Sequence, residues 1–193
     1  MFMKMEIPLL NNISYYTNKA NMELEGYFDV LNEKEHYTSL VFAIPDIITA
    51  VELSIKFRLL TEHWGFVFAD IDKASATSFS SGDFKSVDFN QGICRIRHLC
   101  EIDKSLEKCS RLYKLRNKIQ HFQFEENLSD ILGLITSAIE EFYNFAVEEV
   151  ITHIENPDAV KSLKDSLQEL KGHSTVLKKI HNDLNNFNYP QAF

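Results

Sequence analysis

Residues 131–145 read ILGLITSAIEEFYNF. Ile131, Ile135, Ala138, Phe142 and Phe145 recur at steps of three or four, so they gather on one side of a helix of about 3.6 residues per turn. The same rhythm runs outward in both directions. Ile13, Tyr16, Ala20, Leu24, Tyr27 and Leu31 predict a first helix from about residue 7 to 32. Val41, Ile44, Ile48, Val51, Ile55 and Leu59 form a second stripe. Pro45 falls inside it, so that helix either kinks there or starts near Asp46. Leu112, Leu115, Ile119 and Phe122 mark a helix from about Asp103 to Phe122. After the 131–145 helix, Asn156-Pro157-Asp158 imposes a stop. Val160, Leu163, Leu167, Leu170 and Leu177 then outline a more polar helix, with Gly172 as a point of possible interruption.

Residues 65–88 break this rhythm, with a Ser, Gly and Asp cluster at SSGD. They are expected to be a long, partly ordered connection holding at most a short strand or a single helical turn. Asp88 and Gln91 have the spacing of a capping box, opening a helix that carries Ile93, Ile96 and Leu99. There is no internal repeat and no β-rich block. The expectation is an all-α, up-and-down bundle of five to six helices. Residues 1–155 would form the bundle, and 156–193 a C-terminal helix and irregular tail packed on the same domain. The tail NNFNYPQAF offers Phe187, Tyr189 and Phe193 for docking on a partner.

Composition fits that expectation. The chain has 193 residues, 45% of them hydrophobic, with 15 Phe and 7 Tyr, enough for a sizeable core. Only 6 Gly and 4 Pro argue against a disordered protein. Three cysteines, Cys94, Cys100 and Cys109, sit within helical pattern and read as reduced thiols of a cytoplasmic protein. No secretory leader and no long apolar span is visible, so no membrane partner is expected.

The net charge of −8 speaks against a nucleic-acid partner, but its distribution does not. From Arg95 to Lys118 there are eight basic and three acidic residues; from Glu125 to Asp158 there are nine carboxylates and no Lys or Arg. The basic stretch is a candidate surface for a polyanion, or simply a solvated helix face. Glu140-Glu141 and Glu148-Glu149 are expected to face water.

Several chemistries lack their motifs. The sequence has no GxxxxGK[ST] or GxGxxG loop and no GxSxG elbow. Cys94 and His98 stand one turn apart, but no second spaced pair completes a metal shell, so no metal or cofactor is expected. Arg116 and His121 remain. A guanidinium is a permanent, planar fork for phosphate oxygens. An imidazole exchanges a proton near neutral pH. RNA brings its own nucleophile in the 2′-OH, so a cation and a proton-transfer group suffice to cut it. Five residues rotate the helix by about 140°, so the two side chains do not share a face. Either the helix loosens before Phe122 or a second protomer completes the site, which favours a homodimer. A structural alternative pairs Arg116 with Glu125 or Glu126 and leaves His121 as a cation at the helix end.

The run Arg116-Asn117-Lys118-Ile119-Gln120-His121 resembles the R-x4-6-H signature of the HEPN superfamily, with its polar residue directly after the arginine. The AVELSIKFRLL helix, with Glu52 and Lys56, and the order of helices are similar too. The resemblance spans about residues 10–155. It implies a helical-bundle homodimer whose Arg and His line the interface, acting as a metal-independent endoribonuclease of a toxin or phage-defence kind, with an antitoxin protein as a further partner. It further implies that Arg116 holds the phosphate, His121 transfers protons and Asn117 orients the site. Lys108, Arg111, Lys114 and Lys118 are then expected to bind the RNA substrate. Members controlled by a nucleotidyltransferase antitoxin often carry tyrosine two residues after the histidine; here that residue is Gln123. The competing expectation is a non-catalytic, dimeric binding or scaffolding module, with Glu52 a structural partner of a basic residue.

Overall fold

A computed structural model describes residues 6–29, 37–121 and 125–186. The protein is an all-α helical bundle of seven helices among those residues: α1 (Glu6–Asp29), α2 (Tyr37–Glu62), α3 (Ala76–Ser81), α4 (Phe89–Leu99), α5 (Glu107–His121), α6 (Leu128–Phe145) and α7 (Pro157–Asn186). The count exceeds the five to six expected because α3, a single six-residue helix, lies inside the 65–88 connection.

α2 does not wait for Asp46. It starts at Tyr37 and runs through Pro45. Proline removes one backbone donor, but Leu40, Ala43 and Ile44 of the preceding turns are fully or nearly fully buried and anchor that segment. α2 lies antiparallel to α1, as shown by Lys19 Nζ at 3.0 Å from Asp46 Oδ1. Farther along the seam, a methyl group on Gly26 would come within 3.5 Å of Ser39 Oγ.

α6 passes at Ala146–Val150 into a π-helical turn and then into a 3-10 turn at Ile151–His153. The break before α7 is capped by Asn156, whose Oδ1 accepts from the amides of Asp158 (2.9 Å) and Ala159 (3.3 Å). Pro157 takes the first helical position, where its missing N–H costs nothing. α7 continues through Gly172 without interruption. It runs antiparallel to α6, with Tyr143 bonded to Gln168 and Ser129 to Asn185. It runs parallel to α1, with Asn21 donating to the Ser166 carbonyl at 3.0 Å. Ile13, Leu24, Ile47, Val51, Leu112, Ile135, Phe142, Leu163 and Leu167 belong to one continuous buried core. Residues 30–36, Phe122 and the aromatic residues of the tail lie outside the described residues.

The 65–88 connection is more ordered than its composition suggests. Trp64–Val67 and Ile71–Lys73 form 3-10 turns, and Phe68 and Ser86 form a single antiparallel bridge. Gly82 closes α3 with φ +73°, a left-handed conformation that glycine adopts at no steric cost. Phe68 stacks on Phe84 with centroids 4.1 Å apart, and Trp64 and Phe79 complete a small aromatic cluster. Arg95 of α4 reaches in and donates to the carbonyls of Phe66 (2.7 Å), Phe68 and Ala69 (3.0 Å). The expected capping box is present: Asp88 accepts from the Gln91 amide at 2.8 Å and Gln91 returns the bond. Behind it, a methyl group on Gly92 would sit 2.7 Å from Ile55 Cγ2, so α4 packs on α2 at a distance only glycine permits. Among the described residues, no helix is long and apolar enough to cross a membrane.

Candidate functional site

α5 is buried along Cys109, Leu112 and Leu115, and its two flanks face different neighbours. Its N-terminus is capped from another helix. Glu141 of α6 accepts from the amides of Lys108 (2.8 Å) and Cys109 (3.1 Å), placing a carboxylate at the positive end of the α5 dipole. The expectation that the α6 carboxylates all face water is therefore corrected. Glu140 pairs with Lys178 at 3.2 Å, Glu148 with Lys104, and Glu149 approaches Arg58 at 3.6 Å. Much of the acidic run is neutralised by bases that only the fold brings near it. The three cysteines are free thiols, graded from exposed Cys94 to buried Cys109. Burial, reinforced by the Glu141 charge, holds the Cys109 thiol well above its ordinary pKa.

On the flank toward α2 and α4 stands Arg116. Its Nη2 lies 3.9 Å from Glu52 Oε2, and its Nη1 donates to Asn117 Oδ1 at 3.1 Å and to Gln120 Oε1 at 3.4 Å. The guanidinium sits 5.3 Å from the centroid of Tyr113, which is stacked on Phe89 at 4.6 Å. Glu52 is shared, because its other oxygen accepts from Lys56 at 2.8 Å. One carboxylate thus faces two cations, which leaves a net positive charge. The Arg116 Nε is buried with no hydrogen-bond partner, and the side chain as a whole is 21% exposed. A guanidinium so placed is fixed from below and retains donors for an incoming oxyanion. The ionic partner of Arg116 is Glu52 rather than Glu126, which takes Lys118 at 2.7 Å.

α5 stays α-helical through His121, so the helix does not loosen to bring His121 round to Arg116. The His121 side chain, Phe122 and Gln123 lie outside the described residues.

The four cations expected to bind substrate occupy another flank. Lys108, Arg111, Lys114 and Lys118 line a groove of about 610 Å³ between α5, α6 and the end of α7. Leu115, Ile131, Gly133 and Leu134 supply apolar lining, and His181 closes one side. Arg111 and Lys114 make no hydrogen bond or ion pair with other described residues. Arg111, Lys114 and Lys118 lie about 140–160° around the helix from Arg116, since each residue advances about 100°. The structure brings the cations together with one another but not with Arg116. That division follows the 3.6 period of the charges along 108–118. Net charge, a sum without direction, carries no trace of it. Glu141 and Arg95 left no sequence signal, because their partners are backbone groups on distant elements.

No family model matches the chain, no curated protein matches it, and no solved structure matches it.

Proposed function

We propose that the protein is a metal-independent endoribonuclease of the HEPN type, acting as a homodimer in which Arg116 and Asn117 of one copy face His121 of the other. The observation that carries this reading is the Arg116 guanidinium. It is held by Glu52 and Asn117, and its Nη2, 3.9 Å from Glu52 Oε2, lies beyond hydrogen-bonding distance of that carboxylate, which leaves donors for an oxyanion. The unbroken helix through His121 supports a composite site, in which a second copy would supply the proton-transfer group.

In the reaction the ribose 2′-oxygen attacks the adjacent phosphorus, forming the P–O2′ bond as the P–O5′ bond breaks. The 2′-hydroxyl proton leaves to a base and the 5′-oxygen receives one, so the products are a 2′,3′-cyclic phosphate and a free 5′-hydroxyl. His121 serves in proton transfer and Arg116 stabilises charge on the non-bridging oxygens, where a positioned cation is worth most. Asn117 accepts from Arg116 and keeps the fork oriented.

The test is cleavage of single-stranded RNA by the purified chain in EDTA. Activity should persist, should vanish on substrates with deoxyribose at the cut site, and should fall by about 10²–10⁴ in His121→Ala, the usual cost of removing a general acid–base group. Undiminished cleavage by His121→Ala would reject the composite site.

A second reading, a dimeric RNA-binding module without cleavage, is favoured by one observation. The basic groove opens away from Arg116, and Arg116 already shares an anion with Lys56. RNA that is bound by the groove but never cut would decide for it.

A further inference from the structure

The parallel seam of α1 and α7, whose ligands share no residue with the α5 groove, gathers metal-ligating side chains. Glu25 of α1 and Glu169 and His173 of α7 place one ligand atom each within 4.8 Å of one another. Glu169 and His173 stand one helical turn apart, as do Asn21 and Glu25, so each helix presents a pair on the face toward the other. Neither carboxylate has a cationic partner among the described residues. Two like charges held this close without a counter-ion repel each other, an arrangement that a bound cation reverses.

Two further observations point the same way. Asn21 is 2% exposed and donates to Glu169 Oε2 at 3.1 Å, holding that carboxylate in place, while its own Oδ1 is buried without a partner. His173 Nε2 is likewise buried and unpartnered, with the ring packed 5.5 Å from Phe28. Buried polar atoms with no partner are rare in finished structures and ask for a reason.

We propose that Glu25, Glu169 and His173 form a binding site for one divalent transition-metal ion of the zinc class, which clamps α1 to α7. The donor set is the warrant. One imidazole and two carboxylates suit a borderline cation, whereas Mg²⁺ and Ca²⁺ prefer all-oxygen shells of higher coordination number. A tetrahedral shell at about 2.0–2.1 Å sets ligand atoms about 3.4 Å apart, and two exposed glutamates can close to that spacing by rotamer changes. The site supports structure and takes no part in RNA chemistry, so it stands or falls apart from the ribonuclease reading.

The experiment is titration of the metal-stripped full chain with ZnCl₂ by calorimetry, together with the d–d absorption of a Co²⁺ complex. One ion per chain should bind, raise the melting temperature, and resist competition from excess Mg²⁺. Losing even an outer-shell partner costs about 10–100-fold in affinity, so Glu25→Gln and His173→Gln should each weaken binding at least that much. Glu25 is exposed, so its variant tests the site even if His173→Gln fails to fold. Cys94→Ser is the control, because Cys94 and His98 offer the obvious competing surface pair. The absence of stoichiometric binding, or binding lost in Cys94→Ser and kept in Glu25→Gln, would overturn the proposal.

Discussion

Arg116 and Glu52 show how one carboxylate can set the readiness of a site. Glu52 meets Lys56 at 2.8 Å and Arg116 at 3.9 Å, so the tighter bond belongs to the residue without a proposed role in chemistry. The longer pair leaves the guanidinium held but not saturated. In Glu52→Gln the shape persists while the shared anion is gone, and two cations are left facing each other. Both side chains of the Glu52–Arg116 pair are about one-fifth exposed, between the limits of a worthless surface pair and a costly buried one. Urea unfolding of this variant should show a loss of about 1 kcal/mol at low salt, shrinking at 1 M salt as screening weakens the repulsion. The Glu52–basic pairing was legible in the sequence, from a charged pair on the helix preceding the motif. Its division between two partners was not, because α2 and α5 are joined only by the fold.

Among the elements, α5 depends most on its neighbours. Ser105 Oγ takes the Glu107 amide at 3.4 Å, but the next two amides are satisfied by Glu141, 33 and 32 residues away. Replacing Glu141 by Ala removes both the acceptor and the charge at the helix start. Such caps are worth about 1–2 kcal/mol, and Glu141→Gln should recover part of that through its amide oxygen. Thermal denaturation followed by circular dichroism will give the order wild type, Gln, Ala; equal midpoints for wild type and Ala would mean the bonds contribute nothing. The same contrast explains which elements sequence reading found. The α4 capping box is local, with donor and acceptor three residues apart, and it was legible. α3 and the Arg95 pin were not, since a six-residue helix carries too few turns for a period and carbonyl acceptors have no side-chain signature. Pro45 misleads in the other direction. Its local preference to start or kink a helix is overridden by burial of Leu40, Ala43 and Ile44.

At the level of the molecule, charge is sorted by face. The chain is acidic overall, yet Lys108, Arg111, Lys114 and Lys118 converge on one groove, while the carboxylates of α6 and of the π-helical turn after it are taken up by Lys104, Lys178, Arg58 and the α5 cap. If RNA follows the groove, each neutralised phosphate contributes about 0.7 to the slope of log K against log salt for a single strand. Changing Lys108, Arg111 and Lys114 to Glu should therefore weaken binding and flatten that slope by about two, measured by fluorescence anisotropy between 50 and 200 mM salt. An unchanged slope would mean the groove is only a solvated face. Arg116→Ala, which removes a single phosphate contact on another flank of the helix, should lower the slope by only about 0.7 while affecting cleavage. The all-α class and the basic run were both legible in one dimension. Their separation into a groove and a lone guanidinium appears only once α5 is wound against α2 on one side and α6 on the other.

The parallel pairing of α1 with α7 also governs how the chain acquires its shape. Asn21 meets Ser166 across 145 residues of sequence, and the α1 face toward α7 has nothing to pack against until that helix arrives. Contacts this distant in sequence close a long loop before they return any energy, a slow route for a protein otherwise built of local helical contacts. On the ribosome, α2 to α6 can condense as they emerge, while α1 keeps one flank open until α7 has cleared the exit tunnel. Among the helices of the bundle, α1 is thus made before the others yet is the last to be fully enclosed, and a chaperone would find its foothold there.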